Sequence, residues 1–184
     1  REWVKEGRIG RIELANSVVT FRGEYDPKSR LFDPNLAGGA MWDVGVYAYE
    51  VLTYLLGEHP LERKAVVSRA ETGADKAVTM AARFENCLAS IQTGVMTCTA
   101  EGVTLGGTEG YIWIPCANVG NEAFLYNRKK ELAEHFRQEY ENGFVWEVEE
   151  TVRCVREGLL QSPVVPWADT IDCAGAFDLV LKGE

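Results

Sequence analysis

The sequence holds little that would support a metal centre, a disulfide framework or a membrane span. It has two histidines, and its five cysteines are an odd number without a CxxC pair, so neither a zinc site nor a disulfide framework is predicted. No window approaches the roughly 18 to 20 apolar residues of a membrane span, because two acidic residues interrupt the longest candidate, residues 40–56. The charged first residues also differ from a signal peptide. We therefore expect a cytoplasmic protein with reduced thiols, no metal and no membrane partner.

Positive charge is scarce as well. The chain carries 19 Lys and Arg residues against 28 Asp and Glu residues, a net charge of −9. Binding to nucleic acid needs a basic face, so a nucleic-acid partner is not expected. The length of 184 residues, with 46% apolar and 26% charged residues, is typical of one globular domain. A chain of this size buries about 70% of its unfolded surface and needs no metal or disulfide to fold.

The first third of the chain changes pattern three times. Residues 9–22 are rich in β-branched and apolar types, which predicts a strand. Residues 23–39 contain two prolines and the pair Gly38-Gly39 without any period, and loops of this length are usually functional or disordered. In residues 40–56 apolar side chains recur at steps of three and four, which predicts a helix ended by Gly57.

The rest of the chain favours an α+β fold with a mostly antiparallel open β-sheet and helices packed on one face. Period-two patterns and short turns predict an antiparallel meander, with strands at residues 64–71, 77–84, 87–95, 99–105, 111–114 and 123–126. Helical periodicity returns at residues 145–159 and again after Pro166.

The start of the predicted helix at residues 40–56 is the candidate site. Asp43 and Tyr47 lie one turn apart on its polar stripe. The two preceding glycines let a ligand or another chain approach, and a helix N-terminus favours a negative group. A tyrosine acts as a general acid or base where a cation lowers its pKa from about 10, and an aspartate orients it or binds a substrate hydroxyl. The alternative is a solvated helix face with a capping carboxylate, which the pattern alone favours.

The segment RLFDPNLAGGAMWDVGVY closely resembles the signature of the Gfo/Idh/MocA oxidoreductases. It is most similar to the branch that contains dimeric dihydrodiol dehydrogenases and NADP-dependent xylose dehydrogenases, which has tyrosine at the position of Tyr47 where many relatives have histidine. Two further segments, GGTEGYIWIP and VWEVEETVRCVREGLLQSPVVPWADT, resemble later parts of the family pattern. The resemblance covers nearly all of the chain, in order.

The resemblance implies a C-terminal domain of the glyceraldehyde-3-phosphate dehydrogenase-like type, within an NAD- or NADP-dependent enzyme that oxidises a sugar, polyol or cyclic diol. In that reading Tyr47 exchanges the hydroxyl proton and Asp43 holds the substrate hydroxyl or the tyrosine. Phe21 is in register for a substrate-facing aromatic, although a core phenylalanine is the commoner outcome. Arg30 is placed to reach ligand or cofactor, although a solvated or ion-paired arginine is as common.

Family members begin with a Rossmann domain that carries a GxGxxG-like turn and a Glu-Lys-Pro motif, and this sequence contains neither. The resemblance therefore predicts that residues 1–8 end a linker helix and that residues 9–184 form the substrate-binding and dimerisation domain. We expect this chain alone to be inactive, to bind no cofactor and to form a homodimer through its open sheet face. Two alternatives remain, a non-catalytic binding or assembly module and a relative that has lost catalysis. The presence of both Asp43 and Tyr47 favours chemistry.

Overall fold

A single twisted sheet organises residues 1–182, the part of the chain that the computed structural model describes. Its eight strands are β1 (Ile12–Thr20), β2 (Glu62–Arg69), β3 (Asp75–Arg83), β4 (Leu88–Gly94), β5 (Gly102–Gly107), β6 (Gly110–Pro115), β7 (Glu122–Asn127) and β8 (Leu132–Arg137). The α-helices of the same residues are α1 (Glu2–Lys5), α2 (Val46–Leu56), α3 (Phe144–Arg156) and α4 (Trp167–Lys182). A π-helical turn, Met41–Gly45, leads directly into α2.

The strand order is β2-β3-β4-β1-β5-β6-β7-β8, and every neighbouring pair is antiparallel except β1 and β4. The mostly antiparallel open sheet is thus confirmed, but a simple meander is wrong, because β1 lies in the middle between β4 and β5. The long connection from β1 through α2 carries the chain to the far edge of the sheet at β2. The residues of β1 from Ser17 to Thr20 are all buried, as a central position requires.

One face of the sheet is covered by the π-turn, α2 and α4, as predicted. The core between these layers includes Tyr49 and Leu52 of α2, Met80 of β3 and Ile91 of β4, each with at most 1% of its surface exposed. Buried side chains alternate with more exposed ones along β3 and β4, and they recur at steps of three or four along α2. The sequence shows the same spacings. The apolar stripe of α2 is therefore buried against this face of the sheet.

Two C-terminal elements differ from expectation. The helix predicted at residues 145–159 is present as α3, but its apolar stripe is largely exposed, with Val148 at 61% and Val155 at 74%. A period of three and four indicates an amphipathic helix without saying what covers it. Strand β8 was missed because all six of its residues are exposed and an edge strand needs no apolar alternation.

The other face of the sheet is open. Leu14 of β1 lies opposite Leu88 of β4, and these side chains are 64% and 56% exposed. The same row continues to Tyr111 and Tyr126, whose rings stack at 4.5 Å between centroids. The open face is thus rich in apolar and aromatic surface. Within residues 1–182, no helix combines the length and apolar content that crossing a bilayer would need.

Candidate functional site

The loop between β1 and the π-turn is ordered by its own short-range contacts. Two 3-10 turns, Arg30–Phe32 and Pro34–Leu36, replace the irregular loop that the sequence suggested. The Asp33 carboxylate accepts the backbone N–H of Asn35 at 2.9 Å, which caps the second turn. At Gly38 an added Cβ would lie 2.5 Å from the carbonyl oxygen of Arg30, so only glycine permits this closely folded path.

A small second core holds the loop against the sheet. Phe32, Ala40 and Val95 are fully buried in it, and Phe21 and Val44 pack against them while remaining partly exposed. Phe21 therefore lies beside the turn that carries the candidate residues, but its position is that of a side chain that closes a core. A role for Phe21 as a substrate-facing aromatic stays a prediction.

The π-turn and α2 place Asp43 and Tyr47 as the sequence suggested. The two residues lie one turn apart at the junction of the π-turn and the helix, while Met41 and Ala48 face the core. The Asp43 side chain is 18% exposed and Tyr47 is 49% exposed. Single π-turns inside helices occur frequently at functional sites. The structure thus places a half-buried carboxylate and an accessible phenol on adjacent turns.

Arg30 reaches the same place from the loop. Its guanidinium donates to the Asp43 carboxylate and forms an ion pair with it. The structure thus brings Arg30 and Asp43 together, as residues of one site, with the Arg30 side chain 60% exposed. The ion-paired alternative for Arg30 is thus observed, and contact of Arg30 with a ligand or cofactor stays a prediction.

The helix start does not offer an empty anion position. The sequence analysis expects a negative group at this helix N-terminus, and in the structure that group is the chain's own Asp75. Its Oδ2 accepts the backbone N–H of Met41 at 2.7 Å, and Asp75 is 1% exposed. A Cβ at Gly39 would lie 2.0 Å from Oδ1 of Asp75, so the glycine makes room for this carboxylate.

Sequence reasoning missed two residues that hold this turn, Asp75 and Thr93. The Thr93 hydroxyl of β4 donates to the carbonyl of Ala40 at 3.3 Å. Asp75 fell outside the predicted strand at residues 77–84, directly after Thr72-Gly73-Ala74, where a carboxylate is typical of an exposed turn. The local sequence cannot distinguish a carboxylate in an exposed turn from one that caps a distant helix, because the contact joins residues 34 positions apart.

The fold and the site now define a class: an α+β domain with an open sheet that presents a tyrosine and an aspartate at a helix start. The sequence profile of the GFO/IDH/MocA C-terminal domain matches residues 1–113. The chain belongs to this family.

Relatives by sequence include trans-1,2-dihydrobenzene-1,2-diol dehydrogenase of Mus musculus, 26% identical over 92% of this chain and 53% of the relative. D-xylose 1-dehydrogenase (NADP(+)) of Hypocrea jecorina is 25% identical over 93% of this chain and 52% of the relative. Among solved structures, aldose-aldose oxidoreductase from Caulobacter crescentus, complexed with glycerol, aligns with a TM-score of 0.83 at 19% identity, over 100% of this chain and 57% of that one. The chain spans about half the length of the curated relatives it matches.

Proposed function

We propose that this chain is the substrate-binding and dimerisation domain of an NAD- or NADP-dependent oxidoreductase that acts on a sugar, polyol or cyclic diol. The observation that carries the proposal is the exposed Tyr47 next to Asp43 at the start of α2, in a chain of this family. Dehydrogenases named for a dihydrodiol and for D-xylose are its relatives, which supports a substrate that carries a hydroxyl group at the reacting carbon.

In the proposed reaction Tyr47 takes the proton from the substrate hydroxyl when the alcohol is oxidised and returns it when the carbonyl is reduced. Asp43 is held by Arg30 and accepts a hydrogen bond from a neighbouring substrate hydroxyl or from the Tyr47 hydroxyl. Arg30 extends this polar surface into the loop, where it contacts the substrate or the cofactor. Phe21 packs against the same small core as Val44 of the π-turn and borders the substrate position in this proposal.

A bound nicotinamide supplies the hydride chemistry in enzymes of this kind. The helix start that follows the glycine pair does not fit the phosphates of a dinucleotide, because it already holds the buried Asp75 carboxylate. An added anion would be repelled there. The proposal therefore places the cofactor on a separate nucleotide-binding domain, with residues 1–8 as the end of a linker and residues 9–184 as the substrate-binding and dimerisation domain.

The open sheet face is the proposed dimer interface. Its exposed Leu14, Leu88 and stacked Tyr111 and Tyr126 form an apolar surface of the kind that soluble proteins bury against a partner. The five thiols of the described residues are all free, which supports a reducing compartment such as the cytoplasm. The same face favours the second candidate function, an assembly module without catalysis, for which Asp43 and Tyr47 would be dispensable.

The deciding experiment replaces Tyr47 by Phe in the full-length protein that carries the nucleotide-binding domain. Because only the hydroxyl is lost, kcat for polyol oxidation is expected to fall by about 10²–10⁴-fold while the folded structure is kept. Tyr54→Phe is the matched control, since Tyr54 lies on the same stripe two turns further along α2 and is 37% exposed. Equal turnover in both variants and wild type would refute the tyrosine-centred mechanism and favour the assembly module.

A further inference from the structure

Asp75 is a buried carboxylate whose partners are backbone groups. It opens β3 and is 1% exposed. Burying a charge is costly unless hydrogen bonds compensate for the lost water. Here the N–H of Met41 donates to Oδ2 at 2.7 Å. Burial raises the pKa of Asp75, while the N–H groups of Met41 and Ala40 and the charge of Arg69 act in the opposite direction.

The turn is held against the sheet by two contacts, one with Asp75 and one with Thr93. Gly39 has a φ of +130° and no space for a Cβ, which would meet Oδ1 of Asp75 at 2.0 Å. On the other side, Thr93 of β4 donates to the carbonyl of Ala40. The turn is therefore attached to two neighbouring strands of the sheet, and the first N–H groups of the helix, which have no partner within it, are satisfied by a fixed negative charge.

The contact between Asp75 and the turn is connected through the backbone to the candidate residues. The backbone N–H of Asp43 donates to the carbonyl of Gly39 at 3.1 Å, so the residue that packs on Asp75 also holds the backbone of Asp43. Met41, which donates to Asp75, begins the π-turn that ends one residue before α2. A shift at Asp75 would thus move Asp43 and Tyr47 together relative to the sheet.

We propose that Asp75 is a positioning residue for the reaction: its carboxylate fixes the start of the π-turn and thereby the placement of Asp43 and Tyr47 before the substrate. The inference rests on the proposed function. A displacement of about 1 Å of a reacting group costs on the order of 10²-fold in rate. Asp75 acts only through the backbone of the turn and touches no substrate.

The test compares Asp75→Ala and Asp75→Asn in the full-length protein, assayed for polyol oxidation well below the melting temperature of each variant. We expect kcat to fall about 10 to 100-fold in Asp75→Ala. A smaller fall is expected in Asp75→Asn, because the amide keeps one oxygen for the Met41 N–H but turns a donor toward Ala40. This partial rescue by the conservative variant is a result that general destabilisation would not give.

The matched controls are Asp172→Ala and Asp172→Asn. Asp172 is a partly buried carboxylate of α4 that pairs with Arg63 and accepts from the Tyr49 hydroxyl, and it makes none of the hydrogen bonds that hold the backbone of the π-turn. We expect these controls to lower the melting temperature and to leave kcat and KM at the wild-type values. If Asp75→Ala does not fold, the comparison of Asp75→Asn with Asp172→Asn decides the question.

Hydrogen exchange of the 184-residue chain gives a second, independent measurement. Amides of residues 39–47 are expected to exchange at least about 10-fold faster in Asp75→Asn than in wild type, with no change there in Asp172→Asn. Wild-type kcat and KM in both Asp75 variants would overturn the inference and leave the proposed function intact. A wild-type full-length protein without turnover on any sugar, polyol or cyclic diol would instead overturn the proposed function, and the inference with it.

Discussion

The guanidinium of Arg30 pairs with the carboxylate of Asp43, which joins the loop after β1 to the π-turn at the start of α2. The two residues are thirteen positions apart, and the 3-10 turn at Arg30–Phe32 directs the arginine back to the helix. The pair thus orders the loop and at the same time orients the half-buried carboxylate of the candidate site.

Replacing Arg30 by Ala should affect substrate binding more than stability. The arginine is 60% exposed, so loss of the pair is expected to lower the free energy of unfolding by no more than about 1 kcal/mol. The KM of the full-length protein should rise, because Asp43 loses the group that orients it. Arg137→Ala is the control: Arg137 is the last residue of the edge strand β8, is 55% exposed and pairs with Glu139 at 2.7 Å. A KM that rises equally in both variants would count against a role of Arg30 in the site.

A charge on the open sheet face should prevent dimer formation. In sedimentation equilibrium the wild-type chain is expected at twice 20.5 kDa, and Leu14→Asp at 20.5 kDa, because an aspartate there would be buried without a partner. Leu61→Asp is a matched control, since Leu61 is also 64% exposed but precedes β2. A monomeric wild type, or dissociation by Leu61→Asp alone, would contradict the proposed interface.

The cluster that attaches α4 to α2 should be important for stability. The Tyr49 hydroxyl donates to Asp172 at 2.5 Å, and Arg63 of β2 pairs with Asp172 at 2.8 Å. Arg63→Met leaves the carboxylate without its cation, so the free energy of unfolding in urea should fall by about 1–3 kcal/mol. Tyr49→Phe removes two hydrogen bonds, the one donated to Asp172 and the one accepted from Arg63, and should cost about 1–3 kcal/mol.

The control for this cluster is Arg83→Met on the neighbouring strand β3. Arg83 is 51% exposed and contacts Glu62 at 3.4 Å, so its loss is expected to change stability by less than about 0.5 kcal/mol. If Arg63→Met were as stable as Arg83→Met, the cluster would not contribute to the attachment of α4.

Thiol reactivity should separate the cysteines into two groups. Cys98 and Cys116 are exposed, whereas Cys87, Cys154 and Cys173 are buried. Burial and the charge of Glu58 raise the pKa of Cys87 to about 11, and burial with the charges of Glu50 and Asp172 raises that of Cys173 to about 12. A raised pKa lowers the fraction of reactive thiolate at pH 8.

Ellman's reagent at pH 8 is therefore expected to label two thiols rapidly in the native chain and all five after unfolding in urea. Mass spectrometry of peptides should place the rapid label on Cys98 and Cys116. The variants Cys98→Ser and Cys116→Ser serve as controls, each removing one rapid equivalent. Rapid labelling of Cys173 in the native chain would show that α4 does not pack on the sheet as described.

Most elements of the fold follow from local patterns. The alternation in β3 and β4 and the three-and-four spacing of α2 are properties of neighbouring residues, so the sequence predicts them with small errors at the ends. The position of β1 in the centre of the sheet and the existence of β8 were not predictable in this way. Strand order depends on which hydrogen-bonding edges meet, and an exposed edge strand leaves no apolar periodicity to detect.

For the site, the sequence by itself determined that Asp43 and Tyr47 share a helix face, because residues four positions apart on a helix lie on one side. Only the tertiary structure decided which groups surround them. Arg30 reaches Asp43 because the loop folds back, and Asp75 reaches Met41 because β3 lies beneath the π-turn. Contacts between residues distant in the chain depend on how strands and loops pack, and the periodicity of neighbouring residues does not predict that packing. The local sequence indicates a negative group at the helix start but cannot identify it, for the same reason: the group is Asp75, a residue distant in the chain.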